Sequence, residues 1–344
     1  MLYLSLGFLL LISSFIEIFI KDRGISKTIF IVLAIFLVLF VGLRDGSVVG
    51  TDSPAYYFFY LDKFPDVEVG YKYINAFFAS QGLKYNVFLI FINALALNNL
   101  RKFIQNNSYY IILPLFIYYS DFFFYYNFSG IRQAIAMSFT ALSISYIFQG
   151  KKLLPIILIV IASTFHVTSL VALTIFFLPK DKLSVSKYVR LIALISLGIL
   201  AAGYVIQAVP YLNYKFLYYS SLQEQADDIL NNYYVGIVKR LFVLIAVLLI
   251  RKKFFSNPKN FFLYNIYLIG FIVYAASYLI SPDFGVRFGS YFIILDCILI
   301  SIYIYEASRI ENKLILFLFF SGIAMYKIYT YTLIPSYDYQ LMSF

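Results

Sequence analysis

Cysteine, histidine and charge are all scarce in this 344-residue chain, which has one Cys, one His and only 13% charged residues. A lone Cys297 excludes an intrachain disulfide and any cysteine metal cluster. A lone His166 excludes a multi-histidine metal site. Ordinary soluble domains carry about 25% charged residues, so this chain has too little polar surface to cover itself in water. No soluble domain, internal repeat or low-complexity tract stands out. The loose "EQADD" run at 224–228 reads as a solvated helix face, so no metal is expected.

What is abundant is apolar. Hydrophobic residues make up 62% of the chain, with a mean hydropathy of +0.84. The expected class is all-α: a polytopic transmembrane helical bundle forming one integral membrane domain over 1–344. Apolar runs bounded by basic or turn residues predict spans near 2–20, 28–43, 85–100, 108–126, 131–149, 188–208, 236–250, 261–281, 286–305 and 313–333. The first run has no basic residue before it and no small-residue cleavage site after it. It reads as a retained span rather than a signal peptide.

Basic clusters orient the bundle. "KDRGISK" (21–27), "RK" (101–102), "GKK" (150–152), "KDKLSVSKYVR" (180–190), "RKKFFSNPK" (251–259) and "SRIENK" (308–313) are assigned to the cytoplasm. Residues 153–178 then have basic clusters at both ends. Two readings fit: a short-helix or re-entrant hairpin turning at "STFHVTS", or one long tilted span. The hairpin is preferred because the alternative puts the four basic residues of 180–190 outside. The total is about 11–12 spans, and 17 of the 27 basic residues then lie inside. Large outer loops fall near 44–84 and 209–235, with short helices expected at "DSPAYYFFYLDKF" and "SSLQEQADDILNNYY".

The outward charges are not needed for orientation. They include Arg44, Arg132 and Arg287, with Lys63, Lys72, Lys84, Lys215, Lys239, Arg240 and Lys327. Singly, an interfacial arginine more often snorkels than binds a ligand, and a lone histidine more often packs. Together, planar guanidinium forks suit phosphate oxygens, and His166 adds a titratable group. "TDSP" also starts a helix, with Asp52 or Ser53 as N-cap and Pro54 in the first turn. Asp121 is placed to orient Arg132. Asp296 falls mid-span, with Lys327 as its expected partner.

The ordered set "GLRDGSVVGTDSPAYY", "SGIRQAIAMSF", "FHVTSLV" and "RFGSYF" resembles the EpsG family of Wzy-like polysaccharide polymerases. The resemblance covers most of the chain and is least distinctive in the last third. It implies a GT-C-like multi-pass protein of the bacterial cytoplasmic membrane with its active site on the extracytoplasmic side. The implied reaction moves a growing glycan from undecaprenyl pyrophosphate to a hydroxyl of the next lipid-linked unit, for exopolysaccharide, capsule or O-antigen. Its partners would be the undecaprenyl-pyrophosphate-linked oligosaccharide, the bilayer and other polysaccharide-assembly proteins, with no nucleic acid and no cofactor. On that reading Arg132, Gln133 and Arg287 bind pyrophosphate, with Arg44 in support. His166 is the base, with Asp52 second. A flippase or transporter of lipid-linked oligosaccharide would want the same cations, although no two-half repeat of broken helices is evident. A membrane acyltransferase using His166 is a third reading.

Overall fold

The computed structural model describes the chain apart from residues 1, 21, 63–65, 181–184, 209, 211–212, 215–216, 218–228 and 343–344. Lys63, Lys182, Lys215 and the "EQADD" run are therefore outside the described residues, as is most of the helix expected over 220–234. Regular structure is helical. Among the described residues the one β-type pairing is an isolated antiparallel bridge between Arg44 and Leu341. The chain divides into two compact units, one made of Met1–Leu170 with Ile300–Phe344 and the other of Val171–Leu299.

The first unit begins with α1 (Leu2–Glu17) and α2 (Arg23–Gly42). Two short helices follow in the expected large loop, α3 (Ser53–Asp62) and α4 (Val69–Ser80). Next come α5 (Tyr85–Asn107) and α6 (Ile112–Tyr118), which runs on as a π-helix over Tyr119–Ser129. Then come α7 (Ile131–Phe148), α8 (Leu153–Ser163) and a 3-10 helix over Val167–Phe177, of which only the part up to Leu170 belongs to this unit. The second unit contains α9 (Val185–Ala208), α10 (Ile229–Ala246), the short α11 (Arg251–Phe254), α12 (Pro258–Ile280) and α13 (Pro282–Ile293). After α14 (Asp296–Glu306), α15 (Ile310–Tyr331) belongs to the first unit.

Among the described residues five helices are long and apolar enough to span a bilayer: α2, α5, α7, α12 and α15. A sixth span results if α13 and α14, bent by 41°, count as one. The all-α polytopic class is therefore what the chain forms. That count covers long helices among the described residues only, and other apolar segments fall outside it. Helices α1 and α8 and the 3-10 segment are apolar but short, and α6 has seven residues before its hydrogen bonding changes register. The 153–178 segment is two short helices separated by Thr164–His166.

Backbone groups freed at helix ends cannot turn to water inside a bilayer, so charged side chains take them. The buried Glu17 carboxylate accepts the N–H groups of Ile111 (2.7 Å), Ile112 (2.9 Å) and Leu113 (3.0 Å) at the start of α6. An anion there also meets the positive end of the helix dipole. Arg23 does the converse at the end of α5, donating to the carbonyls of Gln105 (2.7 Å) and Ser108 (2.9 Å). Between α5 and α7, Asn99 donates to Ser138 (3.3 Å) and Asn107 to Ser145 (2.6 Å). Such rungs tie helices together where lipid supplies no hydrophobic drive. In the second unit a glycine provides the close approach: a Cβ on Gly270 would lie 2.1 Å from Phe292 Cβ, which locks α12 against α13.

Replacing Glu17 by Ala strands three buried donors. Thermal unfolding of the purified protein in detergent is expected to show a loss of about 1–3 kcal/mol; an unchanged midpoint would show that α6 needs no cap.

Candidate functional site

The first unit brings Arg132 and His166 together through a residue that sequence reasoning passed over, Glu68. Arg132 is the second residue of α7, after the π-helix ends at Ser129 and Gly130 bridges the two. A cation at a helix N-terminus opposes the dipole, so it needs a carboxylate. Glu68 supplies one, pairing through Oε2 with Arg132 Nη1. Its other oxygen lies 3.0 Å from His166 Nδ1. Arg132 Nε donates to the Tyr56 hydroxyl at 3.3 Å, and the guanidinium carbon sits 5.6 Å from that ring's centre. The Arg132 and Glu68 side chains remain 22% and 19% exposed, so the constellation is desolvated yet reachable.

Local geometry explains the meeting. Glu68 is the last extended residue before α4. Two residues on, the Gly70 N–H donates to the Thr164 carbonyl at 2.7 Å. A Cβ on Gly70 would lie 2.3 Å from Thr164 Oγ1 and 2.9 Å from the Thr164 carbonyl oxygen, so only glycine lets the two backbones touch. The start of α4 is thus docked on the break between α8 and the 3-10 helix, which presents His166. Phe165 is anchored there by stacking on Phe139 of α7, with centroids 6.1 Å apart.

Burial alone would raise the Glu68 pKa. The His166 hydrogen bond and the Arg132 charge outweigh it and bring it down to about 2. The carboxylate is therefore ionised at neutral pH and can only accept. The proton of a neutral His166 is assigned to Nδ1, which leaves the basic lone pair on Nε2. Burial first, and Arg132 against it, leave the Tyr56 phenol raised and protonated.

Arg44 is elsewhere in the same unit and does different work. It is fully buried. Its guanidinium donates to the carbonyls of Val41 (2.6 Å), Val49 (3.1 Å) and Phe128 (2.7 Å) and to the Ser53 hydroxyl (3.3 Å). Burial lowers its pKa to about 10, still charged at neutral pH. The expectation that Arg44 supports the pyrophosphate meets a buried guanidinium whose three nitrogens all donate to groups of its own fold. Through Phe128 it holds the backbone leading into Arg132. The segment before the C-terminus closes this knot: Asp45 N–H donates to Gln340 (2.7 Å), Gly50 N–H to Ser336 (2.7 Å), and Ser129 and Tyr337 hydroxyls are 2.8 Å apart. Gly50 has φ +111°, and a Cβ there would strike the Phe128 carbonyl oxygen at 2.7 Å.

A family comparison now bears on these residues: the model of the EpsG family matches residues 27–342. The chain belongs to the EpsG family. No curated protein and no solved structure matches it. The family is one of Wzy-like polysaccharide polymerases, and the long apolar helices make this member an integral membrane protein. The matched region contains every residue of the Arg132–Glu68–His166 constellation.

Gln133 is buried on α7. Asp52 is exposed in the turn before α3, its carbonyl accepting the Tyr56 N–H at 3.2 Å. Arg287 belongs to the second unit, ion-paired with Asp283 at 2.7 Å. The carboxylate partner of Arg132 is Glu68, not Asp121, because Asp121 lies in the π-helix against Lys327, 3.4 Å from its ammonium. Asp296 accepts from the Tyr267 hydroxyl. Arg240 stacks on Tyr274, 4.2 Å from its centre. Glu68 had a readable signal: outward cations held together at one level need a carboxylate, and the loop near 44–84 contains this glutamate.

Two outcomes follow from this geometry. Arg44→Lys keeps the charge but concentrates three donors at one point and cannot reach all four acceptors, so at least one buried contact is lost, at about 1–3 kcal/mol. Thermal unfolding in detergent reads this, and an unaltered midpoint would mean the loop holds itself. For Glu68 the sign is that of a depressed acid. Its stabilisation is complete above an unfolded pKa of about 4.3 and is lost as pH falls toward about 2. Comparison of wild type with Glu68→Gln should show a stability difference on the order of 3 kcal/mol above pH ~4.5 that narrows as pH falls. A difference independent of pH would contradict it.

Proposed function

We propose that this EpsG-family chain polymerises undecaprenyl-pyrophosphate-linked repeat units on the extracytoplasmic side of the bacterial cytoplasmic membrane. The observation that supports this reading is one carboxylate bridging a guanidinium and an imidazole at a partly open site. In the reaction, an acceptor hydroxyl oxygen bonds to the anomeric carbon of the growing glycan. The bond from that carbon to the pyrophosphate oxygen breaks, and undecaprenyl pyrophosphate departs with the electron pair. The hydroxyl proton passes to His166 Nε2. Glu68 orients the ring through Nδ1 and stabilises the imidazolium that forms, the part a carboxylate plays beside a catalytic histidine in hydrolases.

Arg132 serves the leaving group. Its Nε and Nη1 are engaged with Tyr56 and Glu68, and Nη2 is the edge left to meet a phosphate oxygen. A guanidinium fixed before the reaction needs no reorganisation as charge develops. Guanidinium charge takes the place of a divalent ion here, so the reading is metal-independent. Arg44 is a positioning residue, acting through Phe128 on the approach to Arg132.

The test is incubation of the purified protein with a synthetic lipid-linked repeat unit in EDTA. Wild type should yield elongated lipid-linked glycan. Arg132→Lys should fold and insert normally but lose about 30- to 1000-fold in rate, one charge-assisted transition-state contact being about 2–4 kcal/mol. His166→Ala should lose about 10²–10⁴-fold in kcat. Movement of the lipid-linked unit across the bilayer without elongation would replace polymerase by flippase. Activity restored only by a metal would remove the metal-independent scheme.

A further inference from the structure

The second unit has a cavity that the polymerase reading does not use. It encloses about 620 Å³ and is lined by Tyr188, Arg251, Lys252, Phe255, Phe261 and Tyr264, among others. The walls are built rather than incidental. Phe255 packs edge-on against Phe261 and Tyr264, with centroids 5.5 Å away in each case. The Tyr188 hydroxyl donates to Asn265 Oδ1 at 2.7 Å, and Asn265 Nδ2 donates to the Pro179 carbonyl at 3.0 Å, which fixes α9 against α12. Phe254, fully buried, anchors the short α11 that carries the two cations.

Those cations set the chemistry. Arg251 and Lys252 are exposed side chains, and among the described residues neither has a carboxylate partner. Below them the cavity descends the first turns of α12, a membrane-spanning helix, past Phe261 and Tyr264 to Leu268. From Phe261 to Leu268 the helix rises ~10 Å, a depth that matches the upper part of an acyl chain in one leaflet. Aromatic rings with a polar edge belong at this level of a bilayer. A phosphate on the cations with hydrocarbon on the rings satisfies both halves. A free phosphate would satisfy the cations alone and leave the apolar floor wet.

We propose that this cavity is a binding site for an anionic phospholipid, its phosphate on Arg251 and Lys252 and its glycerol and upper chains against Phe255, Phe261, Tyr264 and Leu268. The inference is independent of the polymerase chemistry. It is separate, too, from the general attraction of a basic loop to an anionic surface, because it requires one lipid held in a preformed space.

The chain has no tryptophan, so Phe261→Trp places a single indole in the cavity wall. The full chain carrying it is reconstituted in phosphatidylcholine bilayers with small fractions of doxyl-labelled phosphatidylglycerol or doxyl-labelled phosphatidylcholine, and quenching is compared. The expected result is preferential quenching by phosphatidylglycerol, with its association weakened about fivefold for each cation removed in Arg251→Gln and Lys252→Gln, as one basic group near an anionic surface implies. The Arg251→Lys/Lys252→Arg exchange should keep the preference, which separates charge from misfolding, as does an unshifted unfolding midpoint in each variant. Equal quenching by the two lipids overturns the site, and so does a preference that survives loss of both cations. Displacement of phosphatidylglycerol by millimolar inorganic phosphate would assign the cavity to a soluble phosphate and overturn the lipid.

Discussion

The whole candidate site turns on one carboxylate serving a guanidinium and an imidazole. Without Glu68, Arg132 would stand at a helix N-terminus with its charge facing the wrong end of the dipole, and His166 would lose the carboxylate that faces Nδ1. With it, the guanidinium is held charged, the imidazole tautomer is set, and each group is aimed by the other through a shared anion. The ion pair lies in a partly desolvated place, where electrostatic interactions are stronger than in water and an unpaired charge is costly. That is why the backbone contacts that deliver Glu68, above all Gly70 on Thr164, matter as much as the side chains.

The two arginines of the first unit show how the same side chain takes opposite roles. Arg44 has its donors filled by carbonyls and a hydroxyl of its own fold, and its burial is complete. Arg132 keeps an edge and some solvent access. A guanidinium surrounded by backbone acceptors is a fastener, whereas one paired on two sides and open on the third can meet an incoming anion. The fastener and the open fork are joined through Phe128, so the rigidity of one limits the wandering of the other.

How far sequence alone reaches can be judged on particular residues. Arg132 and His166 were legible because each is a polar group where lipid-facing residues are expected, which is conspicuous in so apolar a chain. The helical class was legible from the same poverty of charge. Glu68 was passed over because a glutamate in a loop carries no local anomaly; its one signal was the need of the outward cations for a carboxylate, and its contact with His166 spans 98 positions. The Asp121 pairing went astray for a related reason. Its place toward the outer end of a span suggested Arg132, but the π-helix over Tyr119–Ser129 changes the register between them, and Asp121 meets Lys327 of α15 instead. Breaks such as Thr164–His166 and the bend between α13 and α14 were not legible, because they leave hydropathy high while shortening the helices.

The knot around Arg44 also imposes an order in time. Tyr337 meets Ser129 across 208 positions of chain, so the hydroxyl that closes the loop is translated long after the loop itself. At bacterial and eukaryotic elongation rates of about 5–20 residues per second, that interval is roughly 10–40 s. Throughout it, the turn leading into Arg132 must wait in the membrane without its last fastener. The entrance to the site is thus completed only once Tyr337 has left the ribosome, and a nascent chain halted before it would carry Arg132, Glu68 and His166 on an unfinished floor.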